Sequence, residues 1–143
     1  MMDSMRIPGR SPWAALGVLA SLLALPALAD PIKVTLSGSQ EIPPVTTSAK
    51  GVGTIEVGAD KSVSGSITTT GIAATAAHIH EAPAGKNGPV LIPLIKTSDN
   101  VWSVPPGARL SDPQYGSYKA GNLYFNVHSA AVKSGEIRGQ IKP

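Results

Sequence analysis

The sequence predicts an all-β domain, a sandwich or barrel of about seven short strands with turn signals every 8–12 residues. Three observations carry that prediction. Apolar residues alternate with Ser, Thr and charged residues in short runs, the period of a half-buried strand. The chain's 15 Gly and 13 Pro residues cut those runs apart. Residues 30–143 contain no convincing amphipathic helix.

The first 29 residues stand outside this pattern. Arg6 and Arg10 form a positive start, Trp13 to Leu25 is apolar, and Ala27-Leu28-Ala29 supplies a small-x-small cleavage pattern ahead of Asp30. A transmembrane anchor is the alternative, but it wants about 20 apolar residues and Pro26 interrupts this run. No Cys follows, so a lipid-anchored form is excluded. We therefore expect a signal peptide over 1–29, one domain over 30–143, and an exported protein, periplasmic or secreted, with no transmembrane anchor after cleavage.

In the domain, Ile32, Val34 and Leu36 share one face of the first run. Pro43 and Pro44 lack N–H donors, which puts their segment at a sheet edge or outside the ladder. Gly53, Ile55 and Val57 face one way in the second strand. After the turn at Gly58 to Lys61, Ser62 to Thr70 returns as a hairpin with one wet face. Ala76 to Glu81 is a strand ending at a Pro83–Pro89 loop. Val90 to Ile95 is apolar on both faces, as a strand buried on both sides would be, with Pro93 marking a bulge or an edge. Lys96 to Asn100 is expected to turn, Val101 to Val104 to form a short strand, and 108–120 to be a surface connection with at most a helical turn. In the strand Leu123–His128, Leu123, Phe125 and Val127 face the core, and Asn122, Tyr124, Asn126 and His128 face away. In Gly135–Ile141, Ile137 and Ile141 point inward and Glu136, Arg138 and Gln140 outward.

Composition removes several function classes. Once Arg6, Arg10 and Asp3 leave with the leader, ten basic and eight acidic residues remain, a net charge of +2. Without a Lys/Arg cluster or interleaved aromatics, no nucleic-acid partner is expected. Zero Cys rules out disulfides, Cys-type zinc sites and thiol nucleophiles. No Ser sits in a Gly-x-Ser-x-Gly elbow, and neither Gly51-Val52-Gly53 nor Gly85-Lys86-Asn87-Gly88 fits a phosphate loop. No protein or matrix partner and no oligomeric state follows from the residues.

The remaining chemistry lies in the three histidines. On a strand, His78 and His80 point to one face, about 6.6–7 Å apart, and His128 shares the polar face of its own strand. If those faces meet, His78, His80 and His128 form a site for one ion, zinc or copper, with an open coordination position. The three Met residues all precede residue 6, so no soft thioether joins them. The alternative is rings hydrogen-bonded to backbone or to Asn126. Glu41, Glu136 and Arg138 are read as solvated charges or an Arg–Glu pair between strand edges, ahead of a role in fixing a histidine tautomer.

Four segments together resemble the CHRD family, the chordin-type domain also found singly in exported bacterial proteins. They are Leu36–Val45, Ala77–His80 with Gly85–Val90, Leu123–His128, and Gly135–Ile141. The resemblance spans nearly all of 30–143 and implies an immunoglobulin-like Greek-key β-sandwich or barrel of seven to eight strands. It implies little about activity. His78-Ile79-His80 alone is similar to the His-Val-His copper strand of the copper–zinc superoxide dismutases. Three histidines cannot build both a bridging ligand and a separate zinc site, so dismutase chemistry is not expected. The leading expectation is an exported, non-catalytic binding domain with a three-histidine copper or zinc site. The alternatives are a small metalloenzyme using that site, or a structural or adhesive domain.

Overall fold

Where the sequence alternates, the backbone pairs. The computed structural model describes residues 30–143, with Gly9 and Ser21 as isolated positions before them. The expected leader otherwise lies outside the described residues. The strands are β1 (Ile32–Ser37), β2 (Lys50–Val57), β3 (Val63–Thr70), β4 (Ala74–Glu81), β5 (Val90–Pro93), β6 (Ile95–Ser98), β7 (Val101–Ser103), β8 (Leu123–Ser129) and β9 (Ile137–Ile141). All pairings are antiparallel, in one sheet ordered β5-β4-β8-β9-β1-β2-β3-β7-β6. The sheet curls into a nearly closed barrel, so the all-β sandwich or barrel class holds, with nine strands among the described residues.

The barrel is closed by the chain itself. β5 and β6 occupy the two edges of the sheet, yet only Leu94 separates them in sequence. β5 pairs with β4, β6 pairs with β7, and Leu94 N donates to Ala77 O at the corner. Pro93, with no N–H to give, sits where the run changes partner.

The inner face follows the expected parity. Leu36, Ile55, Ile67, Ile79, Phe125, Ile137 and Ile141 are at most 1 % exposed. Phe125, the chain's single Phe, lies over Gly53 of β2, where a Cβ would stand 2.8 Å from its ring. The glycine makes room for the largest of the fully buried side chains.

Three expectations need correction. Residues 112–119 form a helix, α1 (Asp112–Lys119), rather than a single turn. Its apolar stripe is slight, but Ser111 and Gln114 make a reciprocal capping box that satisfies both their N–H groups, and Pro113 in the first turn has no N–H to leave orphaned. Val90 to Ile95 is not buried on both sides: Val90 is 48 % and Ile95 46 % exposed, while Ile92 and Leu94 point inward. β5 and β6 are the edge strands of the sheet, and no other layer among the described residues packs over Val90 and Ile95. The third correction is β6, a strand where a turn was expected, exposed throughout and held by its backbone ladder to β7. No helix among the described residues is long and apolar enough to cross a membrane.

Candidate metal centre

β4 and β8 are neighbours, and their register brings the three histidines together. His78 lies opposite Asn126, His80 opposite Tyr124, and His128 opposite Ala76. His128 is therefore the diagonal neighbour of His78 on the same outer face, within reach of a long side chain. The rings of His78 and His128 are 4.9 Å apart, those of His78 and His80 5.5 Å, and those of His80 and His128 6.1 Å. A bulge between Ile79 and His80 shifts the pairing with β5 at this point.

Each ring has one nitrogen aimed at the others. His80 Nδ1 lies 2.9 Å from Gly88 O, and His128 Nδ1 lies 2.8 Å from Lys133 O. A carbonyl only accepts, so both rings carry their proton on Nδ1 and leave Nε2 with a free lone pair. His80 Nε2, His128 Nε2 and His78 Nδ1 are buried and have no hydrogen-bond partner. The ligand atoms of the three rings lie within 4.8 Å of one another. Zn–N bonds are about 2.0–2.1 Å, so these three nitrogens lie close enough together to be candidates for one shared ion. Backbone carbonyls that hold the far nitrogen are the usual outer support of metal-binding histidines.

Electrostatics keeps the site in the form a metal needs. Burial, then the neighbouring His128 and His80, pushes the His78 pKa below its usual value. Burial lowers His80 as well, against the raising effect of its bond to Gly88, with His128 and Arg138 adding to the fall. Neutral imidazole is the ligating form.

The surrounding residues are not the solvated charges expected. Glu41, Glu136 and Arg138 are 6 %, 7 % and 2 % exposed, because the loops at 41–47 and 82–89 fold over this face. Asn126 Nδ2 donates to Glu41 Oε1 and to Ile137 O. Thr47 and Ser129 hydroxyls donate to the two oxygens of Glu136. Burial raises the Glu41 pKa, opposed by the Asn126 bond and the Arg138 charge. Arg138 donates to Asn87 Oδ1 and Lys86 O, which ties the 82–89 loop to β9, and Asn87 Nδ2 donates to Ile42 O, which links that loop to the segment at 41–47. Arg138 also lies 3.5 Å from the Tyr124 ring centroid, and Tyr124 stacks on His80 at 4.9 Å. Neither carboxylate bonds a histidine, and Asn126 bonds none.

Sequence parity missed Gly88, Lys133 and Tyr124 as supports of the site. At Gly88 a Cβ would stand 1.9 Å from Glu81 O. That close approach is what lets its carbonyl reach His80 and its N–H reach the Tyr124 hydroxyl at 3.0 Å. The glycine in the Gly-Pro pair after Asn87 was the signal available.

A family model, the CHRD domain, matches residues 32–141, the span from the start of β1 to the end of β9. No curated protein and no solved structure matches the chain.

Proposed function

We propose that this chain, which belongs to the CHRD domain family, is an exported binding domain that holds one transition-metal ion through His78 Nδ1, His80 Nε2 and His128 Nε2. One observation carries the reading: three buried ring nitrogens without partners converge while two of the rings are fixed from behind by carbonyls. An unpaired buried polar atom costs about 1–3 kcal/mol, and three at one point are a cost that a bound ion removes. With three imidazoles and no thiolate or thioether, the site favours copper(II) over zinc(II) by the general affinity order. Export rests on the leader pattern before Asp30.

Calorimetric titration of the chain, produced without an affinity tag, tests the site. Copper(II) should bind at one per chain and raise the unfolding temperature, because only the folded chain assembles the site. His78→Ala, His80→Ala and His128→Ala should each weaken binding. No saturable binding of copper or zinc would return the histidines to simple packing. The intact mass of exported protein should match a chain beginning at Asp30; full-length chain in the membrane fraction would favour an anchor.

A further inference from the structure

An ion held only by neutral imidazoles keeps its full charge of +2. The histidine cluster contains no carboxylate. The buried carboxylates on this side of the sheet are engaged elsewhere, Glu41 by Asn126 and Glu136 by Thr47 and Ser129. Beyond His78 and His128 the face opens into a cleft of about 540 Å³, bounded by Thr75, Ala76, Ser129, Ala130 and Lys133. Its one charged lining residue is a cation. Lys133 is exposed, and its carbonyl is fixed on His128 Nδ1, so its backbone is anchored beside the ligand ring. A smaller cleft of about 250 Å³ touches His80, but there the ring is stacked on Tyr124 and its Nδ1 is occupied by Gly88 O.

We propose that the metal centre takes a small monoanion as its fourth ligand, approaching through the cleft beside Lys133. The inference rests on the metal-binding reading. It follows from charge and access together: a divalent ion without an anionic ligand, partly removed from water, beside a cleft lined by two of its three ligands and by one lysine. Three protein ligands and one open position is the pattern of metal sites that admit an outside ligand.

Azide is the probe. The copper-loaded chain, with one copper per chain established beforehand, is titrated with azide and followed by the azide-to-copper charge-transfer absorption and by electron paramagnetic resonance. A saturable one-to-one change with copper retained is expected. In Lys133→Ala, first loaded to one copper per chain, azide affinity should fall roughly two- to fivefold, the size of one partly exposed charge interaction. Lys133→Glu should lower it further. Copper binding with no spectral response to azide, or azide that only strips the copper, would overturn this inference and leave the metal site standing. Unchanged azide affinity in Lys133→Glu would overturn the route. Absence of copper binding would overturn the metal-binding reading, and this inference with it.

Discussion

Over β2 and β3 the outer face of the barrel carries Val52, Thr54, Ser64, Ser66 and Thr68, and water reaches all of them to some degree. Over β4, β8 and β9 the same face carries His78, His80, Tyr124, Asn126, His128 and Arg138, and Tyr124, Asn126 and Arg138 are at most 3 % exposed. Both patches rest on one core and alternate with equal regularity. What separates them is the cover that the 41–47 and 82–89 loops supply. Under that cover every polar group must find a partner or cost stability. Glu41, Glu136, Asn126 and Arg138 all find one. The histidine nitrogens that face one another do not. The unsatisfied atoms of the covered face are gathered at one point, where the three histidines could hold a metal ion.

The shared core gives the largest expected effect. Phe125 belongs to the strand beneath the covered patch and packs on Gly53 beneath the open one. Phe125→Ala should cost about 3–5 kcal/mol in denaturant unfolding and weaken metal binding as well. A cost below about 1 kcal/mol, well under the range for a core aromatic, would mean that the two patches do not stand on a common core.

The patches themselves should then respond unequally. Asn126→Ala leaves the buried Glu41 carboxylate without its donor and should cost about 1–3 kcal/mol. Ser66→Ala, on the open patch, should stay within about 0.5 kcal/mol. Equal costs, measured by the same unfolding experiment, would erase the distinction drawn here.

The inner face was legible from the sequence because parity is local. Val34, Leu36, Ile55, Phe125 and Val127 were placed inward by alternation, and all are buried. The cover was not legible. Glu41 and Asn126 are 85 residues apart and Thr47 and Glu136 are 89 apart, and no local pattern records which loop returns over which strand. Parity likewise put each histidine on a face, but that β4 lies beside β8 is a fact of topology. α1 and β6 were missed for opposite reasons. The helix is held by its cap more than by an apolar stripe, and the strand by its ladder with no burial at all.

The carbonyl support of the site offers an effect specific to metal. Gly88→Ala would drive a methyl into the Glu81 carbonyl, displacing the carbonyl that fixes the His80 tautomer. Loss of such outer support lowers metal affinity by about 10–100-fold. Gly85→Ala is the control, since nothing lies within 4 Å of its Cβ position, although its positive φ also disfavours a side chain. It should unfold slightly more easily and bind copper as before. Equal loss of affinity in both variants would assign the effect to the loop and not to the tautomer.

The smallest expected effect is a slope with pH in the metal-free protein. His78 and His80 have pKa values lowered from 6.5, chiefly by burial. Below pH 6.5 the unfolded chain therefore binds protons that the folded chain refuses, and stability falls as the pH drops toward the folded values. Glu41 acts with the opposite sign. Burial raises it from 4.5, so the folded state holds its proton more firmly, and acidification through the folded value toward 4.5 adds stability. The metal-free curve should thus decline on leaving neutrality and flatten in the acid range. His80→Ala should reduce the decline and Glu41→Gln should remove the flattening, while Ser66→Ala changes neither. Urea midpoints between pH 4 and 8 read this directly. A rise in stability from pH 7 to pH 6 would mean that the rings hold their protons in the folded state, and neutral, ligand-ready imidazoles would not be what the covered patch contains.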